Sequence, residues 1–221
     1  VFNLYKKFTK KTIIMKKYLA ITILLFAFSS AYSQATRLVL NEHFTQASCG
    51  PCASYNPAYN ALLAANPTKI AKISYQAHFP GTDPMNAANP GPALTRYNYY
   101  SANAVPRVYN QTMYGAGGVS PASVSQAQID ARYNTAPDWS VTVTHQLTSG
   151  YDSAQVVVLV GNATSSTLTS GTTGSLKLHL VMVEETVTYS SPPGSNGETV
   201  FHDVMREMIP NANGTTLADS W

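Results

Sequence analysis

Cys49 and Cys52 are the only two cysteines in 221 residues, and they stand three apart in the run Cys49-Gly50-Pro51-Cys52. A bridge between positions this close encloses a tiny loop, so it removes little entropy from the unfolded chain and adds little stability. Structural bridges tie distant segments together; a chain that puts both cysteines in one short loop points to chemistry at sulfur. The flanks restrict the fold as well. Residues 37–44 (RLVLNEHF) hold an apolar run and read as a strand, while residues 53–65 (ASYNPAYNALLAA) are rich in Ala and Leu and read as a helix. The chain therefore passes from strand through cysteine loop directly into helix. A cysteine at a helix start meets the positive end of the dipole and free amide groups, which stabilise its thiolate. Pro51 suits the first turn, where a missing N–H costs nothing. Cys49 is then the attacking thiol, and Cys52 resolves the mixed disulfide. Two other readings stay open, an inert bridge and a metal site. Zinc takes four ligands, of which this pair supplies two.

Charge says more about targeting than about partners. The formal charge is +3, yet six of the 14 basic residues (Lys6, Lys7, Lys10, Lys11, Lys16 and Lys17) precede residue 34, where no acid occurs. Without them 8 Lys and Arg face 11 Asp and Glu, so no basic surface for nucleic acid remains. Met15-Lys16-Lys17, the apolar stretch 18–28 (YLAITILLFAF) and small residues at Ala31 and Ser33 read as a signal peptide over 15–33. Residues 1–14 read as a non-native upstream extension. The expectation is an exported protein, in periplasm, outer membrane or cell surface. The low charged fraction of 11% fits that assignment.

Further along, residues 69–76 alternate as a second strand, 79–92 form an irregular Pro/Gly/Asn loop, and 93–101 form a short helix. Val105-Pro106 leads into a strand at 107–110. Residues 121–133 read as one helix with Ser120 as cap and Pro121 at its first position. The pattern changes at Pro137. Residues 139–147, 154–161 and 176–184 read as antiparallel strands separated by Ser/Thr/Gly turns, as in a sandwich. Residues 190–198 are a polar loop, 200–209 fit either strand or helix, and the last strand reads as truncated. The chain thus divides near residue 137 into an α/β part and a β-rich part.

The order strand, CGPC, helix, strand, loop, helix, Val105-Pro106, strand resembles the thioredoxin-like superfamily, and CGPC is identical to the motif of thioredoxin itself. The resemblance implies a thioredoxin-like α/β domain over 35–136, followed by a β-rich, sandwich-like domain over 137–221. It also implies that Cys49 and Cys52 are catalytic. Pro106 would be a cis-proline that, with the backbone of Val105, holds an incoming peptide. Glu42-His43-Phe44-Thr45, His78, Asp83-Pro84, Val105-Pro106-Arg107-Val108, Glu184-Glu185, His202 and Arg206 resemble, more narrowly, the Omp28-related exported proteins of Bacteroidetes, over roughly 37–217. Two positions depart from thioredoxin. Ser48 replaces an aromatic residue, and His43 occupies the place of a buried carboxylate, with Glu42 beside it. Strand alternation sends one of that pair inward, and the family register makes it His43. Either could accept the proton of the resolving thiol; a plain packing or surface role for both is the competing reading.

The expected partners are protein or peptide thiols and disulfides, a redox partner and, by export, the outer membrane. No cofactor and no metal are expected. His78 reads as a loop histidine, His145 and His179 as strand positions, and Tyr97-Asn98-Tyr99-Tyr100 as helix packing and surface. His202, Asp203 and Glu207 offer too few ligands for a cation. The alternative function is an outer-membrane or cell-surface binding protein that uses the same fold as a scaffold around a stable bridge.

Overall fold

A computed structural model describes residues 35–150 and 152–221 of the protein; the upstream extension and the signal-like segment lie outside them. Strand β1 (Val39–Thr45) runs into the cysteine turn and helix α1 (Gly50–Ala64), and the chain returns through β2 (Ile70–Gln76). Helices α2 (Pro84–Ala88) and α3 (Pro90–Tyr99) lead to β3 (Arg107–Tyr109). A short α4 (Gln111–Tyr114), a 3₁₀ turn (Pro121–Ser123) and α5 (Gln126–Tyr133) follow. The remainder is strand: β4 (Trp139–Leu147), β5 (Ala154–Asn162), β6 (Lys177–Leu178), β7 (Leu180–Thr188), β8 (Val200–Ile209) and β9 (Thr215–Thr216).

The central element is a five-stranded mixed sheet of order β3-β1-β2-β8-β7. β1 lies parallel to β2 and antiparallel to β3, while β8 lies parallel to β2 and antiparallel to β7. In β1 all but one of seven residues are buried, because helices cover both faces of the sheet. On one face Val39 packs with Tyr59 and Leu63 of α1 and Ile129 of α5. On the other, Phe44 packs with Tyr97 of α3, Tyr109, Met205 and Met208. Phe44 is fully buried and stacks on Tyr75 at 5.2 Å, with Tyr97 and Tyr109 edge-on at 5.6 Å. Burial of one such ring stabilises the fold by about 1.5–3 kcal/mol. Tyr97 and Tyr100 thus serve packing, as expected, while Tyr99 points outward against the Arg96 guanidinium.

Four expectations change. The stretch 79–92 holds two helices, because Asp83 caps α2 by accepting the amides of Met85 and Asn86, and Pro84 and Pro90 sit at first positions. The stretch 121–133 is broken: Ser120 caps a 3₁₀ turn, Val124 is extended and buried, and Ser125 starts α5 with a capping box to Gln128. The stretch 176–184 divides at His179 into β6, which pairs with β9, and β7. Lastly, the strands beyond residue 137 do not make one sandwich. β4 and β5 pair over nine residues as a separate hairpin, whereas β7 and β8 extend the sheet begun by β1 and β2. The reason is the free edge of β2, whose unpaired backbone groups β8 satisfies.

Candidate functional site

The cysteine turn is built where β1 ends. Cys49 is the N-cap of α1, and Pro51 lies in its first turn. The two sulfurs are bonded at 2.12 Å with Cα atoms 5.2 Å apart. The amide of Cys52 donates to Cys49 Sγ at 3.1 Å, so the helix start directs a donor at that sulfur. Both residues are inside the protein, Cys49 being 2% and Cys52 0% exposed. The β1–β3 register pairs Phe44 with Arg107; continued one residue, it sets Pro106 level with Thr45, where the turn begins. The Val105–Pro106 bond is cis, as the resemblance implied, with Pro106 buried and Val105 half-buried.

Two loops grip the residues just before Cys49. From the first, Asp83 accepts the Ala47 amide at 2.8 Å, and the Thr82 carbonyl accepts the Ser48 hydroxyl at 2.7 Å. Burial raises the Asp83 carboxyl above its ordinary range. From the second, the Ser195 amide donates to Ser48 Oγ at 3.1 Å, and the Asn196 amide donates to the Ala47 carbonyl at 3.1 Å. Asn196 Nδ2 also donates to the carbonyls of Gln46 and Cys49, each at 3.2 Å. Gly194 lies so close that a Cβ there would overlap the Ala47 carbonyl. Ser48, the residue in place of an aromatic, is thus held by both loops.

Glu42 and His43 do alternate, but both are buried, at 8% and 1% exposure, because neither face of β1 is open. Glu42 is held by Arg96 in a two-pronged ion pair of 2.9 and 2.8 Å and also accepts the Tyr100 hydroxyl. His43 sits on the α1 face, edge-on to Tyr59, and neither ring nitrogen has a hydrogen-bond partner. Burial, with Lys72 nearby, holds its pKa well below the ordinary histidine value.

A polar layer on that face was not legible in the sequence. Asn56, one turn after Cys52 on α1, donates to Thr45 Oγ1 and to Glu198 Oε1, both at 3.0 Å. Asn196 donates to the other oxygen, Glu198 Oε2, at 2.6 Å. Buried Lys72 donates to Asn60 at 2.6 Å and approaches Asp203 at 3.4 Å. Burial pushes Lys72 down and Glu198 up from their ordinary values. Buried polar residues in 53–65 were the available signal; the contribution of Glu198, some 150 residues away, had none.

Three of the other histidines stay apart from this site, whereas His202 of β8 lines its polar layer. His78 is exposed against Phe79 and Tyr97, and His145 is exposed on β4. His179 is half-buried, with its pKa lowered by burial. Asp203 faces Lys72, while Glu207 accepts from Asn89. Among the described residues no three His, Cys, Asp or Glu side chains group to hold a metal ion, and no helix is long and apolar enough to cross a membrane.

No family model and no curated protein matches the chain. Solved structures do. The chain has the fold of HBP35 of Porphyromonas gingivalis, with TM-score 0.60 at 10% identity over 84% of this chain. It spans 62% of the length of that protein. A protein of Agrobacterium tumefaciens aligns at 15% identity over 85% of this chain and 76% of its own, with TM-score 0.49.

Proposed function

We propose that this protein is an exported thiol–disulfide exchange protein with a thioredoxin-like domain, related to the Omp28-type proteins its motifs resemble. The observation that carries the reading is the Cys49–Cys52 bridge at the start of α1, with the Cys52 amide donating to Cys49 Sγ. Once the bridge is opened, that donor and the helix dipole both favour a thiolate on Cys49. Such a thiolate attacks a disulfide of a protein or peptide, and Cys52 three residues on is in place to displace it. Val105 and Pro106, level with the end of β1, supply the backbone beside which that peptide lies. Export rests on the signal-like segment 15–33, and the direction of exchange depends on a redox partner. Export of this kind brings the protein into association with the outer membrane.

Burial favours a second reading. With Cys49 at 2% and Cys52 at 0% exposure, the bridge is shielded as a stable one would be, and the protein would be a surface-binding module. The test is reduction of insulin by residues 34–221 with a supplied donor, beside a Cys49→Ser variant. Exchange requires an active wild type, an inactive variant and a reduction potential well above about −300 mV. Equal inactivity, with a bridge that resists reduction until the protein unfolds, establishes the binding module instead.

A further inference from the structure

The loop before β8 does more than cover the cysteine turn. Ser195 and Asn196 bond to the backbone of residues 46–49 and to the Ser48 hydroxyl, and two residues later the same strap delivers a carboxylate into the polar layer. Glu198 is pinned at both oxygens, one by Asn196, which itself holds the Cys49 carbonyl, and one by Asn56, one turn beyond Cys52. Positions 52 and 56 lie on one stripe of a helix and both are buried. The carboxylate is therefore tied through two amide side chains to the Cys49 carbonyl and to the helical turn that follows Cys52.

Beside it lies a cavity of about 10 Å³, lined by Glu198, Asn56, Thr45, His43, Gln76 and Lys72 among others. Buried atoms without a hydrogen-bond partner belong to three of these: both His43 nitrogens, Asn56 Oδ1 and both side-chain atoms of Gln76. Polar walls and a volume close to the least that holds one water suit a single water against the carboxylate, which can carry its proton onward. The charged and titratable groups around Glu198 are His43 from β1, Lys72 from β2, Asp83 before α2, Glu185 from β7, and His202 and Asp203 from β8. Glu42 is absent from this wall and is engaged by Arg96 on the opposite face.

We propose that Glu198 is the proton acceptor for Cys52 when the mixed disulfide is resolved. The inference rests on the exchange reading above. In the step, the Cys52 thiol loses its proton to the Glu198 carboxylate. Its sulfur then forms a bond to Cys49 Sγ, and the bond from Cys49 Sγ to the substrate sulfur breaks. The substrate leaves as a thiolate with that electron pair, and the proton passes from Glu198 to solvent. The protein dithiol is oxidised and the substrate disulfide is reduced. A carboxyl group lifted by burial is matched to this transfer more closely than an exposed one.

Reaction of the reduced protein with an aromatic disulfide that releases a coloured thiol separates the two steps. The first release reports attack by Cys49, the second ring closure by Cys52. Glu198→Gln removes the base and keeps one of the two accepting positions, its Oε1 still able to accept from Asn56 or Asn196. It is expected to leave the first release unchanged, to slow the second at least about tenfold at pH 7, and to move its pH midpoint up toward that of a free thiol, about 8.5. Glu198→Asp is expected to keep the wild-type midpoint. A second release in Glu198→Gln within twofold of wild type, at the same midpoint, overturns the proposal while leaving exchange intact. Should Glu198→Gln not fold, a free-thiol midpoint in Glu198→Asp overturns it equally. No first release from wild type instead defeats exchange, and the role of Glu198 falls with it.

Discussion

His43 carries an unusual burden for a side chain 1% exposed, because neither nitrogen finds a partner. An imidazole in that position stays neutral in the folded protein, since burial and the nearby Lys72 ammonium both disfavour its charged form. The unfolded chain protonates the same group below about pH 6.5, so it binds more protons than the native state there. Stability that is complete above that value is therefore lost as the pH falls, at about 1.4 kcal/mol per pH unit for this one group. His43→Leu removes the titration and leaves no orphaned nitrogen. Urea unfolding from pH 7 to pH 5 is expected to show a wild-type stability that falls more steeply than the variant's by about that slope. Parallel curves would mean that His43 is hydrated or charged in the native protein. The position of His43 was legible from the six-residue offset to Cys49, and its burial followed from register. The burial of Glu42 did not follow, because alternation names the two faces of a strand without saying that helices cover both.

At the level of elements, the segments that sequence reading placed well are those whose signal is local. β1, α1 and β2 follow from an apolar run, an Ala/Leu-rich stretch and an alternation, and all three lie within a few residues of their expected bounds. β8 shows the opposite. Its buried residues Phe201, Val204, Met205 and Met208 fall at spacings of three, four and seven, which is the mark of a helix. Asp203, with φ of 54°, breaks the alternation inside the strand and shifts its phase, so the pattern of a helix appears in an extended segment. Only the free edge of β2 decides the matter. The hairpin β4–β5 makes the contrast, since Val141, Val143, Val157 and Leu159 on it are 46–65% exposed. Met208→Ala, at a residue 1% exposed in the Phe44 cluster, is expected to cost about 2–5 kcal/mol. Leu159→Ala is expected to stay within about 0.5 kcal/mol of wild type. Urea midpoints of the two variants decide this; a large loss at Leu159 would show that the hairpin is covered in solution.

For the whole molecule, the change of pattern near residue 137 is real in composition, yet the sheet crosses it. β8 stands against β2, with the Ser74 hydroxyl donating to the His202 carbonyl at 2.8 Å, and the Phe44 cluster takes Met205 and Met208 from the same strand. The second half also supplies Asn196 to the cysteine turn and Asp203 and Glu198 to the surroundings of Lys72. A chain cut after residue 136 keeps both cysteines and all five helices but leaves β2 with an open edge. It also leaves Lys72 without its carboxylates and the Phe44 cluster without Met205 and Met208. Such contacts link residues far apart in sequence, which is why periodicity read over short windows does not reveal them. Residues 35–136 alone are therefore expected not to fold cooperatively, with weak near-ultraviolet dichroism and a broad urea transition. Residues 35–221 should give one sharp transition by both near- and far-ultraviolet signals. A fragment that unfolds as sharply as the longer chain would support the boundary at 137 and make the strap a removable cover. Loss of cooperativity would instead tie the reactivity of Cys49 and Cys52 to strands that follow them by some 150 residues.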